Sequence, residues 1–346
     1  MGLSIREIIP RRELEIVELR DKVVCVDAFN ALYQFLSTIR QPDGTPLMDN
    51  NQRITSHLSG IFYRNISLLE EGIKLVYVFD GKAPDLKART HKKRQNIRDI
   101  AQEKYDNAKA EVDVMGMKRY SSQLLRLDDE MIKESKELLI AMGIPIIQAP
   151  SEGEAQAAYM ARSNSKVYAS VSQDYDSLLF GAPKLIRNLT VSRKKKTYSG
   201  YVEVKPEIIE LEKVFNFLEI NLEQLICLGI LVGTDYNPKG IPGIGQKRAL
   251  EIVKKYKVPY EIFKSVEGQI SNLPEEDKFD WQEIFALFHK PEVSNKEFEF
   301  KPFNAEKIKE ILVENHDFSE ERINKQIDRL KEIKQKNQQK NLGKWF

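Results

Sequence analysis

Four short apolar runs stand out along the chain: Val23–Val26, Leu75–Phe79, Ile144–Ile147 and Val167–Val171, with a weaker fifth at Lys184–Arg187. None of them alternates with polar residues. Unbroken apolar runs predict strands covered on both faces, as in a parallel sheet. Between them the apolar spacing predicts helices over about 29–39, 55–71, 129–142, 153–163 and 206–232. Strands alternating with helices predict an α/β fold: a mostly parallel central sheet with helices on both faces. Residues 82–126 interrupt this rhythm and carry no strand pattern, and from about 259 onward the chain reads as helices and loops.

Composition narrows the class of protein. With 346 residues, 41% of them hydrophobic, the chain can build a sizeable core and two or three domains. Mean hydropathy of −0.46 and the lack of any long apolar run argue against a membrane span. No charged-then-apolar leader opens the chain, so a cytoplasmic protein is expected. The two cysteines, Cys25 and Cys227, lie in apolar runs and read as core fillers in a reducing compartment. Four histidines without a His-Glu-x-x-His pattern argue against a zinc hydrolase. Net charge is +2, but its distribution is uneven. Segments 82–104 and 237–257 are each net +5, which is either a solvated helical face or a surface for an anionic partner.

The acids carry the clearest signal. Asp27 follows the first strand and Asp80 the second. The third leads to Glu152 and Glu154, the fourth to Asp174 and Asp176, and Asp235 ends a strongly apolar helix. In open α/β sheets the site lies beyond the carboxyl ends of the strands. If these strands are parallel neighbours, their acids share one crevice, and like charges so close need cations. An oxygen-only set suits Mg²⁺ or Mn²⁺, and a pair of such ions suits phosphodiester hydrolysis. Taken singly each acid has a plainer reading: Asp27, Asp80 and Asp174 as helix caps, and Ser151-x-x-Glu154 as a capping box.

Further along, Gly240-Ile241-Pro242-Gly243-Ile244-Gly245 opens a helix bearing Lys247 and Arg248, a tight hairpin whose backbone N–H groups favour an anion. The tail Gln339-Lys340-Asn341-Leu342-Gly343-Lys344-Trp345-Phe346 has the form Gln-x-x-aliphatic-x-x-aromatic-aromatic and no core to bury its apolar residues, so it reads as a docking plug.

These motifs, in order, resemble the flap endonucleases, structure-specific 5′ nucleases, in their archaeal form. The match runs through Val26-Asp27-Ala28, Thr55-Ser56-His57-Leu58, Val78-Phe79-Asp80-Gly81-Lys82, Pro150-Ser151-Glu152-Gly153-Glu154, Gln173-Asp174-Tyr175-Asp176 and Val232-Gly233-Thr234-Asp235-Tyr236. The resemblance implies two Mg²⁺, with Mn²⁺ as substitute, held by Asp27, Asp80, Glu152, Glu154, Asp174, Asp176 and Asp235, some through water. It implies a helical arch over the site, with Lys87 and Arg94 facing the scissile phosphate. It implies DNA contacts at Tyr33, Thr55, Arg64, Phe318 and Arg322, where Thr55, Phe318 and Arg322 pocket a one-nucleotide 3′ flap. Tyr33 is equally readable as a core aromatic. The glycine hairpin, with Gly243, Gly245, Lys247 and Arg248, resembles the family's helix-hairpin-helix, which grips duplex DNA with the help of K⁺. The tail, through Gln339, Leu342, Trp345 and Phe346, resembles a sliding-clamp binding motif.

The expected organisation is a nuclease half over 1–98, an arch over 99–130, and a second nuclease half with the hairpin over 131–258. A helical region over 259–330 and the clamp-binding tail over 331–346 follow. The expected protein is a monomer that cuts branched DNA bearing a 5′ flap, with no membrane partner and no basic nuclear tail. Three other readings compete. An aspartyl-nucleophile phosphatase would explain Asp174-x-Asp176, but Leu178 stands where that class wants Thr or Val. A non-catalytic DNA module would be expected to have lost some of the acids. A sister nuclease for bubbles or junctions usually carries a longer insertion than this arch.

Overall fold

The structure, a computed structural model, describes residues 3–41, 44–111, 113–121, 124, 126–191, 194–197 and 200–342. Over 88–97, 194–197 and 336–342 it describes the backbone. Its strands are β1 (Arg12–Glu13), β2 (Val23–Asp27), β3 (Lys74–Phe79), β4 (Ile146–Gln148), β5 (Val167–Val171), β6 (Lys184–Arg187), β7 (Lys194–Thr197), β8 (Gly200–Glu203) and β9 (Glu207–Glu210). Seven of them form one sheet in the order β1-β9-β6-β5-β2-β3-β4. β6, β5, β2, β3 and β4 are parallel, and β9 and β1 close one edge antiparallel. The four strands that lead to acids are therefore neighbours.

Both faces of the sheet are covered, which is why its central strands need no polar alternation. On β2 and β3, residues Val24, Val26, Leu75, Tyr77 and Phe79 enter one core with the Ala28–Thr38 and Asp129–Ala141 helices. Val23, Cys25, Val76 and Val78 face the opposite side, against Ala157 and Met160 of the Gly153–Ser163 helix. A further core joins the Leu222–Val232, Gln246–Tyr256 and Trp281–His289 helices, and it includes Cys227. Both cysteines are free and buried.

Several expected helices match closely. The 55–71 helix is a continuous run in three parts: Ser56–Ser59, a π turn at Gly60–Arg64, and Asn65–Glu70. The expectation of one helix over 206–232 is corrected. Glu207–Glu210 is strand β9, whose inner pair Ile208 and Ile209 is buried against β6. The Leu211–Leu218 helix then stops at Glu219 in the left-handed region, φ 55°. Asn221 restarts a second helix with a reciprocal cap to Gln224. Local apolar density there fits either element, and pairing at the sheet edge decides. The insertion opens with a short turn at Asp85–Lys87, then the long Ala88–Ala110 helix and the Val114–Ser121 helix. β7 and β8 pair antiparallel as a separate two-stranded sheet. Among the described residues no single helix is long and apolar enough to cross a membrane.

Candidate active site

The carboxyl ends of β2, β3 and β5 open into one crevice, and the turn after β4 adds a fourth wall. Asp27 ends β2 and caps the Ala28–Thr38 helix, accepting from Asn30 N at 3.0 Å. Asn30 then donates its side-chain N–H to Asp174 Oδ2 at 3.0 Å, and its Oδ1 accepts from Gln173 N at 3.0 Å. One asparagine thus ties the ends of β2 and β5 together. Asp80 accepts from Gly153 N at 2.7 Å, so it sits on the N-terminus of the Gly153–Ser163 helix. A Cβ at Gly153 would lie 2.6 Å from Asp80 Oδ1, so a side chain there would push the acid away.

The plainer capping readings now separate. Asp27 is a genuine cap. The Ser151-x-x-Glu154 box is not formed: Glu152 stands at the cap position, and its side chain makes no capping bond. Glu154 instead accepts from Ser177 N at 2.9 Å and Ser177 Oγ at 2.7 Å. Asp174 is not the cap of the Asp176–Leu179 helix, whose cap position is Tyr175.

Asp235 arrives from the other core. The Leu222–Val232 helix ends at Gly233, and Thr234 Oγ1 donates to Asn237 Oδ1 at 2.8 Å. Asn237 Nδ2 donates back to Ile230 O at 2.7 Å. This closed turn aims Asp235 and Tyr236 at the sheet. Tyr236 O–H donates to Glu152 Oε2, and Lys87 pairs with Glu152 Oε1 while lying 3.8 Å from Asp235 Oδ2. Lys87 Nζ also lies 5.5 Å from the Tyr236 ring centre. Tyr236 is a site residue that the sequence reading left as part of a motif. Its place directly after Asp235 was the available signal.

The electrostatics bind the set together. Burial, then Asp80, pushes Asp27 up to about 8. Burial, then Asp235 and Asp174, pushes Asp176 up to about 8. Glu154 is raised by burial and then by Asp176, Asp27 and Asp174. Asp80 is raised by burial against the opposing bond from Gly153. Burial disfavours the Lys87 charge, but Glu152, Asp235 and Asp80 outweigh it and raise its pKa. Pairwise repulsions thus link the seven acids into one set.

Asp176 Oδ1 is buried without a hydrogen-bond partner. An orphaned buried carboxylate oxygen among acids held above their ordinary range fits a hard cation. Among the described residues no three of these side chains close into a metal cage by themselves.

The remaining expected residues divide. Tyr33 is 40% exposed on the Ala28–Thr38 helix, which removes its core-aromatic reading. Arg94 lies on the Ala88–Ala110 helix, and its side chain is outside the described residues. Arg64 donates to Leu189 O at 2.9 Å and to Val191 O, bracing the loop after β6. Thr55 is buried. Phe318 packs against the first core, and exposed Arg322 lines a cavity of about 380 Å³ with Tyr63, Lys325, Gln326 and Arg329. Gly243 has φ 79°, where a side chain is strained, and Gly245 caps the Gln246–Tyr256 helix. Lys247 and Arg248 are exposed on the first turn of that helix. Gln339 and Leu342 lie on the Glu320–Leu342 helix with side chains outside the description, and Trp345 and Phe346 lie outside the described residues.

Comparison with known proteins decides the family. The model of the XPG N-terminal domain matches residues 3–101, and that of the XPG I-region matches residues 143–235. The whole chain is 51% identical to Flap endonuclease 1 of Thermococcus onnurineus, of which the match covers 99%. The chain belongs to the flap endonuclease family. It is also 50% identical, over its full length, to Flap endonuclease 1 of Pyrococcus furiosus, with 99% of that protein covered. The flap endonuclease 1 structure from Methanococcus jannaschii superposes with a TM-score of 0.75 at 38% identity, covering 96% of this chain and 98% of that one. The catalytic core of Rad2, solved in complex with a DNA substrate, gives 0.69 at 25% identity, covering 95% of this chain and all of that one. The chain is thus a nuclease of a metal-dependent, DNA-processing family. The phosphatase reading of Asp174 and Asp176 falls with this assignment.

Proposed function

We infer that this chain is a structure-specific 5′ flap endonuclease with 5′–3′ exonuclease activity. It hydrolyses a phosphodiester near the base of a 5′ flap in DNA replication and repair. One observation carries the reading: seven acids from neighbouring strand ends and the Asp235 turn share a crevice, and the root of a basic helical insertion places Lys87 inside it.

Asp27, Asp80, Glu152, Glu154, Asp174, Asp176 and Asp235 would hold two Mg²⁺ ions, with Mn²⁺ as a substitute. When bound, these ions supply Lewis acidity and positive charge to the scissile phosphate and its attacking water. The chain's own residues do the rest. Lys87 offers a cation at the edge of the crevice, where charge develops on the phosphate. Arg94, about two turns beyond Lys87 and on the Ala88–Ala110 helix, would supply a second cation. Tyr236 and Asn30 hold Glu152 and Asp174 in fixed orientations, so the acids stay in place before substrate arrives.

DNA binding is distributed. The hairpin at Gly243 and Gly245, with Lys247 and Arg248, takes duplex phosphates together with a K⁺ ion. Tyr33 stacks on a base near the cut. Thr55, Phe318 and Arg322 seat a single 3′ nucleotide. The tail at Gln339, Leu342, Trp345 and Phe346 docks on a sliding clamp, and the protein is a monomer without it.

Cleavage of a 5′-labelled double-flap DNA tests the reading, with wild type beside Asp174→Ala. The expected result is one main cut near the flap base, abolished by EDTA and lost in the variant while DNA binding survives. No cut with either metal would leave a DNA-binding module. A cut on junctions but not flaps would keep the chemistry and change the substrate.

A further inference from the structure

A second buried set of ionisable groups lies away from the crevice. His316 is 3% exposed and touches carboxylates through both ring nitrogens: Nδ1 lies 3.1 Å from Asp49 Oδ2, and Nε2 lies 2.9 Å from Glu134 Oε1. Glu134 comes from the Asp129–Ala141 helix and Asp49 from the loop before Thr55. The other charged groups facing His316 are Arg53 and His57. Arg53 Nε donates to Asp49 Oδ2 at 2.7 Å, and His57 Nε2 lies 3.5 Å from Glu134 Oε2.

The ring chemistry fixes a protonation state. A neutral imidazole has one N–H and one lone pair. The lone pair would then face a carboxylate oxygen at hydrogen-bond distance. Only the imidazolium donates to both acids.

The consequences reach along the chain. Asp49 Oδ1 accepts from Asn51 N and Arg53 N at 2.9 Å each, which shapes the loop. Asn50 N donates to Asp317 Oδ2 at 3.0 Å, and Arg53 donates to Asn315 O. Leu47 O accepts from Thr55 N at 2.8 Å, so the loop sets the start of the Ser56–Ser59 helix. Phe318 follows His316 by two residues. The clasp thus joins the two segments that carry Thr55 and Phe318.

We propose that His316, held as an imidazolium between Asp49 and Glu134, is a positioning residue that locks the 46–55 loop onto the C-terminal segment and thereby sets the relative placement of the segments carrying Thr55, Phe318 and Arg322. This rests on the flap-endonuclease reading for its consequence on DNA, and on geometry alone for the clasp. Burial opposes the His316 charge, but Glu134 and Asp49 outweigh it and raise its pKa. The clasp is therefore complete below the ordinary histidine value and opens as pH rises through the raised one.

Two measurements on the full chain test it. In ¹⁵N NMR of the metal-free protein, both His316 ring nitrogens should be protonated at pH 7. The amides of 49–53 and 315–318 should exchange about tenfold faster above the His316 titration, beyond the intrinsic pH effect on exchange. A neutral ring at pH 7, or no step in exchange, overturns the clasp. In the second, flap DNA bearing one 3′ nucleotide is bound without metal. From pH 7 to pH 9 wild type should weaken about tenfold more than His316→Gln, which should be weak already at pH 7 and keep only the slope that the crevice acids give both proteins. Cleavage at saturating DNA should stay within about twofold of wild type, a split between KM and kcat. Equal affinity of variant and wild type at pH 7, or equal pH slopes, overturns the positioning role. If wild type binds no flap DNA, the functional reading fails instead, and the NMR result still decides the clasp.

Discussion

Two buried clusters in this molecule use the same kinds of residue to opposite effect. In the crevice, burial and like charges push Asp27 and Asp176 up to about 8, and among the described residues Lys87 brings a cation to their neighbours Glu152 and Asp235. In the clasp, burial works against Glu134, yet His316 and His57 together outweigh it and bring it down to about 2. Asp49 is likewise lowered: burial opposes it, and Arg53 and His316 prevail. Burial alone does not set the charge state of an acid. Its partners do, and the contrast separates a site short of positive charge from a joint that is already neutralised.

The largest test of this contrast is Asp174→Ala, expected to lower flap cleavage by at least about 10³-fold, with DNA affinity retained in a gel-shift assay. A crevice built for cations should tolerate the lost charge structurally, so an unfolded variant would count against the comparison. Next, Lys87→Ala should cost about 10²–10³-fold in single-turnover cleavage, because it removes a cation held at the crevice. A variant as fast as wild type would show that Lys87 only neutralises Glu152.

Glu134→Gln should destabilise the fold by about 3 kcal/mol, measured by denaturant unfolding, because it strands the buried His316 charge. Asp176→Asn should do the reverse in EDTA and raise the melting temperature, since it relieves repulsion in the crevice. The acids of the two clusters also respond to pH in opposite ways, while His316, raised when folded, loses its contribution as pH rises. Carboxyls raised in the folded state favour folding at low pH, and that contribution is lost as pH climbs from about 4 toward 8. Glu134, lowered when folded, contributes above about 4.5 and loses its contribution as pH falls toward 2. Calorimetry in EDTA should therefore show melting temperature declining from pH 5.5 to 8.5, and Mg²⁺ should restore it.

The smallest effect is expected away from both clusters. Lys247→Ala should weaken DNA binding a few-fold and reduce the salt slope by about 1, without changing the cleavage position.

Much of the site was legible because its signals are local. A strand followed at once by an acid is visible in Val26-Asp27 and Phe79-Asp80, and the parallel neighbours β5-β2-β3-β4 then bring those acids together. What stayed hidden depends on partners distant in sequence. Glu154 reads as a capping residue until Ser177 is seen to donate to it. Tyr236 becomes a site residue through Glu152, and His316 through Asp49 and Glu134. Glu207–Glu210 looks helical beside its apolar neighbours and becomes a strand because the β6 edge offers backbone partners.

The sequence by itself determined the parallel strands, the helices between them, the acids at the strand ends and the basic insertion, since periodicity and composition are properties of the local chain. The tertiary structure decided which charges face which. It set Lys87 among the crevice acids and His316 between two carboxylates, because a side chain's electrostatic state follows from the groups that folding places within a few ångströms of it.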